Sequence, residues 1–109
     1  MDIKCIISVS EAFSITPGSR YRSEGPFSGE EFRETILKTK FKEAIEENKK
    51  MIVNLDGTLG YGTSFLEEAF GGLARSYDPQ KVLEHVEIVS TEEPYLKDDV
   101  IEYIKKANG

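Results

Sequence analysis

Met51-Ile-Val-Asn-Leu-Asp56, Gly57-Thr-Leu-Gly-Tyr-Gly62 and Thr63-Ser-Phe-Leu-Glu-Glu-Ala-Phe-Gly-Gly-Leu73 follow one another without a break, and their reading decides the fold. The first is short, nearly all apolar and ends in an acid, the pattern of a central strand covered on both faces. The second is a glycine-punctuated turn. In the third, Phe65, Leu66, Ala69, Phe70 and Leu73 recur at helical spacing. An amphipathic helix therefore runs from Thr63 to near Tyr77, ahead of Pro79.

Working outward, residues 3–9 are rich in β-branched side chains, with Ile3, Cys5, Ile7 and Val9 on one parity and Lys4 and Ser8 on the other. This predicts a strand with one buried face. A loop from Thr16 to Gly29 carries Gly and Pro and exceeds the usual connection length, which favours function over idleness. Ser28-Gly-Glu-Glu31 has capping-box spacing. Behind it Phe32, Ile36, Leu37, Phe41, Ala44 and Ile45 line one side of a helix to about residue 48, closed by Lys49-Lys50. Val86-Glu-Ile-Val89 reads as a third strand. Pro94 suits the first turn of a last helix, with Leu96, Val100, Ile101 and Ile104 as its buried stripe and Gly109 after it. The order β-loop-α-β-α-β-α implies a small α/β sandwich, with parallel pairing of at least two neighbouring strands.

The chain has 109 residues, one Cys, one His and a net charge of −6. That length predicts a single domain, 1–109, able to bury a core without staples. One Cys and one His exclude a disulfide framework and a structural zinc site. The acid excess argues against direct nucleic-acid contact. No apolar run approaches a membrane span, and the start lacks a signal-peptide core, so a cytoplasmic, soluble protein is expected.

Two places could carry recognition chemistry. Thr63 and Ser64 stand at a helix start, where free N–H groups and the positive dipole end favour an anion or a phosphorylated hydroxyl. Ser64 and Glu67 also fit a capping box, which would make Ser64 an N-cap only. The glycines match neither the phosphate-loop pattern nor G-x-G-x-x-G. The second place is Arg20-Tyr21-Arg22, able to grip a phosphate or carboxylate, or else to pair with Glu24, Glu30 or Glu34. Arg20 or Arg22 near Ser64 would merge the two into one anion site. His85 has no catalytic neighbour at a nameable spacing, and Cys5 reads as core. Glu67-Glu68 suit the dipole of a first helical turn, and Gly71-Gly72 inside a helix imply close backbone approach, either to the sheet or to a partner. With Arg20, Arg22 and Arg33 in residues 17–33 and seven acids against one Lys in 84–102, a basic loop and an acidic C-terminal side are expected.

Asn54-Leu-Asp-Gly-Thr-Leu-Gly-Tyr-Gly-Thr-Ser-Phe-Leu66 resembles the signature of STAS domains, the fold of anti-sigma-factor antagonists: a strand ending Asp-Leu-Ser, a turn, then Asp-Ser-Ser-Gly-Leu at a helix start. Pro17-Gly-Ser-Arg-Tyr-Arg-Ser-Glu-Gly-Pro-Phe-Ser-Gly-Glu-Glu-Phe-Arg33 and Phe65-Leu-Glu-Glu-Ala-Phe-Gly-Gly-Leu73 look more closely like the STAS-like family of unknown function. That resemblance covers nearly all of residues 3–105.

The resemblance implies a STAS-like sandwich, with a mixed sheet of about four strands and helices packed against it. It implies a non-catalytic regulatory module, without cofactor or metal, whose partner is a protein such as an ATPase-type serine kinase or an anti-sigma-like protein. The phosphorylated serine falls on Ser64, with Thr63 on the serine before it; Gly62 replaces the acid and Phe65 the glycine. The partner surface would take in Arg20, Tyr21, Arg22, Asp56, Gly57, Tyr61, Gly62, Thr63 and Ser64. The alternative is a small phosphate- or nucleotide-binding domain, or an enzyme, using Arg20, Arg22 and the helix N-termini.

Overall fold

Three strands, Ile3–Ser8 (β1), Lys50–Asn54 (β2) and Val86–Val89 (β3), form one sheet in the order β1-β2-β3 in the computed structural model, which describes residues 1–107. Both pairings are parallel, and Ile7, Val53 and Ile88 lie side by side across the sheet. The expected mixed sheet of about four strands is thus corrected to three parallel ones. The connections explain it: a helical crossover separates each strand from the next, so each re-enters in the same direction. The long segment after β1 supplies no further strand. It forms a short helix α1 (Val9–Ala12), a 3-10 turn (Arg22–Glu24) and a loop bonded to itself and to the following helix start. There the Gly18 N–H donates to the Phe27 carbonyl (2.7 Å) and the Glu30 N–H to the Arg20 carbonyl (3.0 Å).

Helix α2 covers 29–46 and helix α3 covers 63–77. Each contains a π turn, Arg33–Leu37 in α2 and Glu67–Gly71 in α3. The wider turn lets residues five apart share a face, and Phe32 with Leu37, like Phe65 with Phe70, are all buried. Ser28 caps α2 as expected, its Oγ accepting the Glu31 N–H at 3.0 Å. Lys50 does not close α2 but opens β2. Pro79 does not merely end α3. Asp78, at φ +118°, breaks the chain, and Pro79 starts helix α4 (Pro79–His85) with the Asp78 carboxylate accepting the Lys81 N–H. Helix α5 (Tyr95–Lys106) buries Leu96, Val100 and Ile104, while Ile101 stays partly exposed. Gly109, expected after this helix, lies outside the described residues. Among the described residues no helix is long and apolar enough to cross a membrane.

The helices cover one face of the sheet only, which corrects the expectation that β2 is covered on both. Ile7, Met51, Val53 and Ile88 point into the core, whereas Ile6 is 66% exposed and Ile52 half-buried. The strand order accounts for this: right-handed crossovers that step the same way each time lay their helices on one side. A bulge at Lys4 modifies the edge. Ile3 pairs with Lys50 and Cys5 with Met51, so Lys4 is the extra residue and Ile3 leaves the parity of Cys5 and Ile7. Ile3 is 49% exposed in consequence. Beneath the sheet, Phe32 stacks on Phe65 (centroids 5.9 Å apart) and touches Phe13 and Phe70. Each fully buried ring contributes about 2–3 kcal/mol and together they pin the starts of α2 and α3.

Candidate functional site

Parallel strands send all their following loops to one end of the sheet, the usual place for recognition in α/β folds. Here those are the segments after Ser8, Asn54 and Val89, and polar ties hold them together. Asp56 accepts from the amides of Thr91 (2.9 Å) and Glu92 (3.0 Å) and from the Thr91 hydroxyl. The Glu92 amide, with Thr91, holds its carboxyl below the usual range. In return the Glu92 carboxylate accepts the Gly57 N–H at 2.8 Å. Gly57 is required where it stands: its φ is +95°, and a Cβ there would meet Ser10 Oγ at 2.6 Å. Tyr61 donates to the Leu55 carbonyl (2.7 Å), and burial pushes its hydroxyl up to about 12. Asp56, Gly57 and Tyr61 therefore frame the end of the sheet.

Thr63 and Ser64 are exposed. Gly62, with φ −77° and ψ 148°, is the N-cap of α3 and has no side chain to cap it. Ser64 is consequently the second helical residue, and the capping-box reading of Ser64 with Glu67 is corrected. The cause is local: the extended backbone stops at Gly62, so the cap falls two residues earlier. The first amides of α3 are left without a side-chain acceptor, beside two hydroxyls in solvent.

The loop after β1 does come to this helix start. Gly18, Arg20, Tyr21, Glu24, Thr63 and Ser64 share an open groove of roughly 460 Å³. The charges, however, are already matched. Arg20 Nη1 donates to Glu67 (2.6 Å) and Glu68 (3.3 Å), and Arg22 Nε turns away to Glu34 (3.2 Å). The Arg22 and Tyr21 amides donate to Glu30 and Glu24. Arg33 Nη1 donates to Glu68 at 2.5 Å, and Arg75 Nη1 to Glu67 at 2.7 Å. The expected basic loop is therefore corrected, because carboxylates from α2 and α3 neutralise its arginines. Glu67 and Glu68, the fifth and sixth residues of α3, lie beyond its first turn, so the expected dipole role is corrected: they hold Arg20, Arg33 and Arg75 instead. Gly72 faces the Arg33 side chain and Gly71 the Glu67 carboxylate, so the close backbone approach expected at Gly71-Gly72 is corrected to charged side chains that fill the place of each Cβ. His85 is buried, its Nδ1 2.7 Å from the Lys49 carbonyl.

Two residues escaped the sequence reading. Leu59 is 82% exposed at the tip of the Gly57–Gly62 turn, and its N–H donates to the carbonyl of Ile15, itself 56% exposed. An aliphatic side chain between glycines is the signal that marks Leu59; nothing local marks Ile15.

The family model that matches this chain describes a STAS-like domain of unknown function and takes in residues 28–96. The chain belongs to that family. No curated protein and no solved structure matches it. In this STAS-like domain the matched residues run from the cap of α2 into α5, so Asp56 to Ser64 lie inside the match. Strand β1 and Arg20, Tyr21 and Arg22 precede it.

Proposed function

We propose that this STAS-like domain is a non-catalytic, cytoplasmic regulatory module that binds a partner protein at the C-terminal end of its sheet. The observation that carries the reading is the surface around Ser64. Exposed hydroxyls at an uncapped helix start stand in the same end of the fold as the exposed Leu59 and Ile15. Apolar side chains exposed beside a polar rim suit protein association. With Arg20 and Arg22 already paired, the groove offers little free positive charge to a small anion. That favours a protein partner over a phosphorylated ligand.

The antagonists that the chain resembles support the finer reading: Ser64, with Thr63 beside it, is the acceptor of an ATPase-type serine kinase, and an anti-sigma-like protein is the class of partner. Phosphorylation would place about −1.5 to −2 charges at the interface, enough to switch binding. Affinity purification from the native cell tests this. One protein is expected on the wild type and on Ser64→Ala, and its loss from Ser64→Asp and from Leu59→Asp. Equal recovery on wild type and Ser64→Asp removes the switch; equal recovery on Leu59→Asp removes the surface.

A further inference from the structure

Strand β1 pairs with β2 on one side and, among the described residues, has no strand on the other. Open strand edges template further pairing, and proteins guard them with charge, proline, bulges or brevity. The other edge, β3, is only Val86–Val89 and runs beside Glu84, Glu87 and Lys97. Strand β1 is longer, Ile3–Ser8, and has no proline. Its bulge is spent at Lys4, and that side chain is drawn off to Glu47 (2.5 Å), so Cys5–Ser8 remains regular and unguarded.

An open groove of roughly 790 Å³ runs along this edge, lined by Ile6, Ala12 and Ile36 among others, with Ile6 66% exposed. Two charges mark its ends. Lys40 lines the groove by the start of the strand; burial pushes the Cys5 thiol up there, and the Lys40 charge opposes that shift while Glu43 adds to it. Glu11 lies just past the strand's end and is exposed. Lys40 reaches its helical neighbour Glu43 only at 3.8 Å, leaving its ammonium open to a better partner.

A groove that is positive at one end and negative at the other is complementary to itself turned round. We infer that β1 pairs antiparallel with β1 of a second copy of this chain about a twofold axis near Ile6, joining two sheets into one of six strands. In that arrangement Ile6 faces its own counterpart, and the Lys40 end of each copy meets the Glu11 end of the other, twice over. Parallel pairing would instead set like charges together. Hydrogen bonds between the two edges supply affinity, and the end charges set direction and register. The surface shares no lining residue with the groove at Ser64, so a dimer leaves that groove open.

Sedimentation equilibrium of the full chain up to about 500 μM tests the pairing. A mass of twice 12.3 kDa is expected for the wild type and one of 12.3 kDa for Ile6→Lys. Lys40→Glu and Glu11→Lys should each weaken the dimer at least tenfold, and the double variant should restore it. Circular dichroism melts confirm that each variant is folded; all three positions are exposed. A wild type that stays monomeric throughout overturns the proposal. So does a dimer that Ile6→Lys leaves intact, or a double variant no tighter than the singles.

Discussion

Glu68 is only 7% exposed, and Arg75 of its own helix comes no closer to its charge than 3.9 Å. Arg33 from α2 and Arg20 from the first loop supply the match, and Arg33 Nη1 also donates to the Glu68 carbonyl at 2.7 Å. Removing one member of such a pair leaves the other desolvated and unpaired. Glu68→Ala is expected to cost about 3 kcal/mol in urea unfolding, because the Arg33 side chain is itself only 16% exposed. Glu34→Ala, which breaks the pair with the half-exposed Arg22, should stay within about 0.5 kcal/mol. At this scale the sequence was a partial guide. Spacing placed Glu67 and Glu68 in an early helical turn. It carried no trace of Arg33, because ion-pair partners far apart in the chain are chosen by packing.

Among the elements, the helix starts show the same division. Gly29 opens α2 where it crosses α3, and a Cβ there would lie 2.5 Å from the Phe65 carbonyl oxygen. Gly29→Ala should therefore destabilise by about 1–3 kcal/mol through overpacking, despite the usual helical gain of alanine. Gly62 has open space around it and an extended backbone. Gly62→Asp should raise stability by about 0.3–1 kcal/mol, its carboxylate accepting a free amide of α3. Thermal melts of the two variants read both effects, which have opposite signs. Both glycines look alike in the sequence. The apolar spacing predicted α2 and α3 themselves, since Phe32, Leu37, Phe65 and Phe70 have to be buried together. The π turns that make their five-residue spacing work were not visible, nor was α4, because Pro79 reads equally as a stop and as a first helical residue.

Across the whole molecule the net charge of −6 is distributed as ties between segments. Arg75 and Arg20 hold Glu67 below its ordinary value of 4.5, Lys4 does so for Glu47 and Lys50 for Glu87. The amides of Glu92 and Thr91 lower Asp56 from 3.8. A carboxyl lowered in the folded state binds its proton more readily once unfolded. Its stabilisation is complete above the ordinary value and is lost as pH falls through the lowered one. Urea midpoints should be nearly flat from about pH 7 to about pH 5 and then fall steeply toward about pH 3. Glu67→Gln should show a lower plateau and a shallower fall; an unchanged slope would remove Glu67 from the linkage.

By itself the sequence determined the α/β class, the places of β1, β2 and β3, the two long helices and the helix start after the Gly57–Gly62 turn. Those follow from periodicity and turn chemistry, which act between near neighbours. The tertiary structure alone decided that the sheet is wholly parallel and bare on one face. It also decided that the loop arginines are spent on Glu34, Glu67 and Glu68, and that Ile15 joins Leu59 at the tip of the Gly57–Gly62 turn. Strand order, crossover direction and ion pairing all depend on which distant segments meet, and burial of the whole core selects that.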